Sequence, residues 1–227
     1  AINYFLLAGS AIWNMRDLFS HWKWDPALFR KLLRSLLPFA LMGVLSSLYF
    51  TLDTILLART GEVAALGQYT VAAKIVRLGL NVFIGASIVF FVKLFRSDVN
   101  EELQTDSLSM TINLSFPISA VLFCFSPQVI DLVVGSHYKP ALELLQIFSL
   151  LWLVVPLHDF FNIQVLLVHH KERSLVILYA MAGVVSLLLN LAMIPVWFTR
   201  GAAWAIVITE TAVLVAAIIL SWPYYRI

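Results

Sequence analysis

The sequence predicts an all-α protein that crosses a membrane several times. Of its 227 residues, 61% are hydrophobic and 12% are charged, and this charged share is about half that of soluble globular proteins. The mean hydropathy is +0.91. Six apolar stretches follow one another, each of about 20 residues or more, which is enough to cross a bilayer. None alternates with the period of two that a barrel strand requires, so the spans are expected to be helices.

The composition excludes several classes of protein. A disordered chain is excluded because so much apolar surface cannot remain in water. The single cysteine, Cys124, excludes an intrachain disulfide framework and a zinc site made of several thiolates. The net charge of +2 is too small an excess to indicate a nucleic-acid partner. No metal or other cofactor is expected.

Four segments are expected in chain order. Residues 1–13 are too short to cross the hydrocarbon core, so we expect them to be the end of a transmembrane helix that starts upstream. Residues 14–34 are a basic, aromatic cytoplasmic connector, either an interfacial helix or a plain segment anchored by tryptophans. Residues 35–222 hold the six-helix bundle, and residues 223–227 a cytoplasmic end. The spans are expected at residues 35–58, 66–92, 108–134, 142–168, 175–197 and 202–222.

The distribution of Lys and Arg orients these spans. The segments that precede the six full spans carry, in order, 5, 1, 2, 1, 2 and 1 of these residues. Positively charged loops stay in the cytoplasm. The richer segments are therefore expected inside, and the segments with Arg59, Lys139 and Arg200 outside.

Two cations, Lys74 and Arg77, fall inside the second predicted span, three residues apart and therefore on one helix face. An intramembrane cation that faces lipid costs at least ~2.5 kcal/mol, so both are expected to face a partner or a cavity. Asp53, near the outer end of the preceding span, is the expected acidic partner. One acid leaves one positive charge over, and this surplus favours an anionic ligand such as a phosphate group. Asn81 continues roughly the same face.

Other polar residues at membrane depth allow two interpretations each. His158 and Asp159 follow Pro156, which is expected to kink the fourth span. They form either a proton relay or a static hydrogen-bonded pair with a neighbouring helix. Glu210 and Asn190 lie at similar depth in the last two spans and either contact each other or line a transport pathway.

Motifs of known catalytic sites are lacking in the sequence. It contains no P-loop, no GxSxG, no HExxH and no aspartate-rich cluster for a metal-bound sugar phosphate. We therefore expect a protein that is not an enzyme and has no catalytic residues.

Three stretches, in order, resemble the motifs of one family of transporters. The first has an Asp near a helix end, a short Gly turn and the pattern GxYxxAxK. The second has G-x-x-Y-x-x-A followed by L-x-I. The third has N-L before I-P, then G-A-A and a Glu. It departs from the family pattern after the proline, where the family often has a glycine and this chain has VWFTRG. The three occupy residues 53–75, 134–147 and 189–210.

These motifs resemble the multidrug/oligosaccharidyl-lipid/polysaccharide exporter superfamily, and within it the flippases of lipid-linked oligosaccharides such as O-antigen. The resemblance implies a bacterial inner-membrane protein of roughly 12–14 helices, in two bundles that rock around a central, often cationic cavity. This chain would supply the second bundle: six full spans plus a partial N-terminal helix.

The resemblance also implies partners and residue roles. The partners are a polyprenyl-pyrophosphate-linked oligosaccharide, the lipid bilayer and the missing N-terminal bundle of the same protein. Lys74, Arg77 and Asn81 would bind the substrate. The candidates for ion coupling or for lining the cavity are Asp53, His158, Asp159, Glu210 and Asn190.

Three other functions stay open at this point. A cation-coupled multidrug exporter of the same superfamily would need an acidic cavity, and the surplus of buried positive charge argues against one. A membrane glycan polymerase or ligase would need a large extracytoplasmic loop with catalytic residues, whereas the expected outer loops are short. A structural membrane subunit would keep its function without Lys74 and Arg77.

Overall fold

The computed structural model describes residues 25–60, 62–96 and 101–225, and within these ranges it contains helices and no strand. The predicted all-α fold class is confirmed. The helices are α1 (Pro26–Ala58), α2 (Val63–Arg96), α3 (Glu101–Cys124), α4 (Ser126–Val133), a 3-10 segment (Ser136–Ala141), α5 (Leu142–Ser149), α6 (Leu151–Asp159), a π-helical segment (Phe160–Leu167) and α7 (Glu172–Ser221).

Five stretches of the described residues are long and apolar enough to cross a membrane. Four of them have between 23 and 32 residues and the fifth has 50, whereas about 20 residues are enough for one crossing. The chain is therefore a multi-pass membrane protein. The five stretches are Leu36–Ala58, Val63–Leu94, Glu101–Cys124, Tyr138–Leu167 and Glu172–Ser221.

The chain divides into two units, residues 1–37 and residues 38–227. In the first unit, the described residues contain the start of α1. Asp25 caps this helix, since its Oδ1 accepts hydrogen bonds from the N–H groups of Ala27 (2.8 Å) and Leu28 (3.3 Å). The helix thus begins well before the apolar span expected from residue 35. The predicted helix end at residues 1–13 and the connector as far as residue 24 lie outside the described residues.

The third predicted span, residues 108–134, is corrected at both ends. α3 begins at Glu101 and ends at Cys124, and the shorter α4 follows it. Glu101 and Glu102 favour the earlier start because acidic side chains stabilise the N-terminal turn of a helix. Pro127 ends the helix because it has no N–H to donate to the carbonyl four residues earlier. The Ser126 hydroxyl donates to that carbonyl instead, at 2.7 Å.

The fourth predicted span, residues 142–168, is interrupted rather than one continuous α-helix. α5 and α6 meet at Leu150, shortly before Pro156, and a π-helical segment follows Asp159. A π-helix turns less per residue than an α-helix, so residues after Asp159 face other directions than an α-helical wheel predicts. Such segments are frequent at functional sites.

α7 reverses direction within its 50 residues. Phe198 has φ 55° and ψ −125°, a conformation that glycine adopts more easily. A Cβ added at Gly201 would overlap the backbone carbonyl of Met193. Since an uninterrupted helix would separate these two residues by about 12 Å, the chain folds back here. Leu178 of the first arm packs with Val213 of the second in one hydrophobic cluster.

Contacts between segments define two ends of the second unit. At one end, Arg200 Nη2 lies 2.5 Å from Glu143 Oε2, so the reversal of α7 adjoins the start of α5. Arg59 lines a cavity together with that same reversal. At the other end, Lys171 Nζ lies 4.8 Å from the ring centre of Tyr224. The segments with Arg59 and Arg200, both predicted to lie outside, therefore meet at one end of the unit.

Buried polar side chains join α2 and α3 to the interrupted helix formed by α5, α6 and the π-helical segment. Gln104 Nε2 donates to the backbone carbonyl of Gln164 (3.0 Å), and Gln164 Nε2 donates to Ser87 Oγ (2.8 Å). Ser119 Oγ donates to the backbone carbonyl of Ser149 (2.9 Å). These hydrogen bonds hold α3 against the interrupted helix in an interior where water is not available as a partner.

Candidate functional site

The first polar group lies between α1 and α2 and is organised around Asp53. This residue is buried, at 1% exposure. Its carboxylate accepts hydrogen bonds from the Tyr69 hydroxyl, from the Thr54 N–H (2.6 Å) and from the Thr54 hydroxyl (3.1 Å). These donors stabilise a buried carboxylate that would otherwise be costly at this depth.

Arg77 forms the ion pair that was expected for Asp53. Its Nη2 lies 3.3 Å from Asp53 Oδ2, and the Arg77 side chain is 32% exposed. The guanidinium carbon lies 5.7 Å from the centre of the Phe50 ring, which is within the range of a cation–π contact. Only one guanidinium nitrogen of Arg77 contacts Asp53, so the other N–H groups of the guanidinium can donate to a second acceptor.

Lys74 is on the same helix but has a different environment. Its side chain is exposed, and within the described ranges it makes no ion pair. Asn81, two turns further along α2, is also exposed. Leu78, between them, is 73% exposed. The described residues therefore leave this face of α2 uncovered, with one unpaired cation on it.

The second polar group is closed within the bundle. His158 Nε2 lies 2.9 Å from Glu210 Oε2, and the two side chains are 6% and 0% exposed. Asn162 Nδ2 lies 3.3 Å from His158 Nδ1. His158 thus faces the carboxylate of Glu210 on the second arm of α7, and this contact fits both interpretations of His158, the static pair and the proton relay.

Several atoms in and around this group lack hydrogen-bond partners within the described part of the chain. They are Asp159 Oδ2, Asn162 Oδ1, Tyr49 Oη and Glu210 Oε1. Asp159 is also buried, at 7% exposure. Two carboxyl groups thus lie close to one imidazole, and a single positive charge on that imidazole neutralises only one of them. Chemically, the group is able to take up one further proton or monovalent cation.

The contact expected between Glu210 and Asn190 is wrong. Asn190 is fully buried, and its Nδ2 donates within its own helix, to the Ser186 carbonyl (2.8 Å) and the Ser186 hydroxyl (3.3 Å). Glu210 faces His158 instead. Asn190 and Glu210 lie at similar depth, but depth alone does not set the rotation of each helix.

Tyr69 is a member of the first group that was not recognised as a candidate from the sequence. A signal was present, since it is the tyrosine of GxYxxAxK and lies two turns before Arg77 on one helix face. Phe148 packs edge-on against its ring at 5.2 Å. This contact positions the hydroxyl towards Asp53.

Metal ligands do not converge in the residues that the structure describes. No group of three or more His, Cys, Asp or Glu side chains among them is arranged to hold a metal ion.

Comparison with known proteins gives one match. The family model of polysaccharide biosynthesis proteins matches residues 2–143, which is more than half of the chain and includes α1, α2 and the Asp53 group. Comparisons with curated proteins and with solved structures give no match. The resemblance to the polysaccharide flippases is thus confirmed at the level of the family: the chain belongs to the family of polysaccharide biosynthesis proteins.

Proposed function

We propose that the chain is part of a flippase that moves a polyprenyl-pyrophosphate-linked oligosaccharide across a bacterial inner membrane for polysaccharide synthesis. The observation that carries this proposal is Lys74, an exposed cation within the candidate span Val63–Leu94. Such a cation is costly against lipid, so an anion or an aqueous cavity has to meet it. The pyrophosphate of a lipid carrier supplies that anion.

Lys74 and Arg77 suit different oxygens of a pyrophosphate. Lys74 provides a compact charge with three donors, whereas the planar fork of Arg77 is held in place by Asp53. Asn81 lies about 10 Å from Lys74 along the axis of α2. Its amide is both donor and acceptor, so it suits a sugar hydroxyl rather than a phosphate.

A second helical bundle is the proposed cover of the uncovered face of α2. The substrate cavity would then lie between the two bundles, and rocking of one against the other would open it alternately to each side. In this proposal the two arms of α7 cross the bilayer separately, which gives six crossings. The protein acts as a transporter and not as an enzyme.

For energy coupling we propose the group of His158, Asp159 and Glu210. The support is its composition, since two buried carboxyl groups share one imidazole and Asp159 Oδ2 has no hydrogen-bond partner in the described ranges. The charged and titratable groups around it are Tyr49, Tyr179 and, through Tyr49, Arg77. Proton uptake there would bring the buried group to neutrality.

The cationic surface disfavours a multidrug exporter. A site for cationic drugs needs free negative charge, but Asp53 is already neutralised by Arg77 and supplied with three further hydrogen bonds. The exposed charge beside it is the positive charge of Lys74.

Complementation of a strain that lacks its own flippase tests the proposal. Surface polysaccharide would be measured for Lys74→Ala and Arg77→Ala, with the amount of protein in the membrane determined by immunoblot. The matched control is Lys139→Ala, which removes an exposed lysine from the 3-10 segment. We expect loss of polysaccharide at normal protein level for Lys74→Ala. Arg77→Ala should also lose polysaccharide, with a lower protein level because the buried Asp53 carboxylate loses its ion pair. Lys139→Ala should retain both the polysaccharide and the protein level. Export that survives both Lys74→Ala and Arg77→Ala would refute the assigned binding site.

A further inference from the structure

A cavity of about 420 Å³ lies beside the reversal of α7, at the end of the unit where Arg59 and Arg200 meet. It is lined by residues of α1 and of the first arm of α7, with the short turn after α1. This volume is in the range of small-molecule sites. Among its lining residues are Leu56, Arg59, Asn190, Ile194, Pro195 and Phe198.

The cavity has a cationic mouth and an apolar wall. Arg59 is exposed and forms no ion pair with any described residue. The hydroxyl of Thr60, next to it, donates to the Leu57 carbonyl at 2.6 Å and keeps its own lone pairs. The remaining wall is largely aliphatic and aromatic, from Leu56, Ile194 and Phe198. Arginine binds phosphate with two parallel N–H groups, so the mouth fits a phosphate and the wall fits hydrocarbon.

The depth of the cavity fits an amphipathic ligand better than a free anion. Along α7 it extends from Phe198 to Asn190, about 12 Å at the helical rise. It therefore reaches from the helix end into the apolar band of the candidate span. A small anion would fill only the mouth and leave the apolar wall without a partner.

Phe198 connects this cavity with the reversal of α7. Its positive φ of 55° is unfavourable for a residue with a side chain and belongs to that reversal. Phe198 is also one of the residues that line the cavity. The turn of the chain therefore forms one end of the apolar wall.

We propose that this cavity binds the phosphate and the first isoprene units of the carrier lipid in the outer leaflet, after the head group has crossed. The inference rests on the proposed function. Arg59 lies about 9 Å further along α1 than Asp53, which holds Arg77. Lys74 and Arg77 lie on α2, and Arg59 directly follows the last residue of the neighbouring α1. A phosphate that leaves this pair towards the turn between the two helices therefore meets Arg59. Continuity with that pair favours the carrier lipid over a bilayer phospholipid.

Photolabelling tests the inference without requiring transport. The protein would be expressed from its own gene and kept in native membrane vesicles. The probe is a polyprenyl phosphate with a diazirine in the isoprene unit next to the phosphate, and labelled peptides would be mapped by mass spectrometry. We expect adducts at Ile194 or Phe198, and about tenfold less labelling in Arg59→Ala because a charge-assisted contact is lost. Arg59→Lys should keep most of the labelling, because the positive charge is retained.

The matched control is Arg200→Ala, since Arg200 lies at the same end of the unit but is paired with Glu143. Its labelling should equal that of the wild type. An excess of unlabelled polyprenyl phosphate should displace the probe, and equal amounts of phosphatidylglycerol or inorganic phosphate should not. Equal displacement by phosphatidylglycerol would make the cavity a phospholipid site and overturn the inference, as would unchanged labelling of Arg59→Ala.

The outcome is separable from that of the proposed function. If Lys74→Ala and Arg77→Ala abolish export but the wild type is not labelled at the cavity, the inference alone is wrong. If both variants still export while labelling depends on Arg59, the assignment of Lys74 and Arg77 is wrong and the cavity remains a carrier-lipid site. If the wild type does not restore export at all but labelling depends on Arg59, the proposed function is wrong and the lipid site stands.

Discussion

Two of the ion pairs between described residues contain a buried carboxylate, that of Asp53 and that of Glu210, and the surroundings of these two pairs differ. Arg77, paired with Asp53, is 32% exposed, and the neighbouring Lys74 is exposed without an ion pair in the described ranges. His158 and Glu210 are 6% and 0% exposed. The first pair therefore has spare positive charge within reach of a ligand, whereas the second pair is enclosed by its own bundle.

The two pairs thus differ in charge balance and in exposure, and these two properties are the basis on which we propose binding at the first pair and not at the second. A closed pair is sensitive to the loss of either partner, because the remaining charge has no water to solvate it. Removing a cation from an uncovered face leaves no buried charge without a partner, so it should affect the binding of a ligand rather than stability. Three substitutions in these regions, and a fourth at the reversal of α7, differ in their expected effect on stability.

The largest effect is expected for Glu210→Ala. It leaves His158 buried without its partner, and breaking a buried pair in this way costs about 3–5 kcal/mol. The melting temperature in detergent and the amount of protein in the membrane should both decrease strongly. Glu143→Ala is the control, because that carboxylate is 47% exposed. If the double variant His158→Leu/Glu210→Leu is no more stable than Glu210→Ala, the loss does not come from an uncompensated charge.

Gly201→Ala should have the next largest effect. The added Cβ overlaps the Met193 carbonyl, so the two arms of α7 have to separate. Overpacking of this kind costs about 1–3 kcal/mol. Gly183→Ala in the same helix is the control, since nothing lies within 4 Å of its added Cβ. Equal melting temperatures for the two variants would contradict the fold-back at Phe198.

Tyr69→Phe should have a smaller effect, about 0.5–1.5 kcal/mol for one lost hydrogen bond. Asp53 keeps the donors of Thr54 and its pair with Arg77. Tyr138→Phe is the control, because the Tyr138 side chain is exposed at 36% and its hydroxyl can be solvated. Its melting temperature should stay the same. An equal or larger loss for Tyr138→Phe than for Tyr69→Phe would contradict the role of the Tyr69 hydroxyl.

The smallest effect on stability is expected for Lys74→Leu. No partner is lost and an intramembrane charge is removed, so the melting temperature should be unchanged or slightly higher. Export should nevertheless be lost. A marked drop in the melting temperature would mean that Lys74 has a structural role, and the contrast between the two regions would disappear.

The all-helical, multi-pass character and the Asp53–Arg77 pair were predictable from the sequence because both follow from local information. Hydropathy over about 20 residues fixes where a helix crosses. Asp53 and Arg77 lie on helices joined by a short turn, so their depths are directly comparable. A cation without an acidic partner was also predictable, because the sequence places two cations, Lys74 and Arg77, near one acid, Asp53.

The partner of Glu210 was not predictable in the same way. Which residue it faces depends on the rotation of two distant helices and on the π-helical segment after Asp159, which changes the direction of later side chains. Hydropathy does not encode that change. The end of α3 was missed for a related reason, since the apolar run continues through Pro127, whereas α3 ends at Cys124 and a separate helix follows.

Direct binding of the lipid-linked oligosaccharide tests the central assignment, that the unpaired cation at Lys74 holds the pyrophosphate. The affinity of the wild type and of Lys74→Ala would be measured in lipid nanodiscs at low and at high salt, with Lys139→Ala as control. We predict about tenfold weaker binding for Lys74→Ala, as expected for one charge-assisted contact, and a smaller difference at high salt. Equal affinity of Lys74→Ala and the wild type at low salt would contradict the assignment.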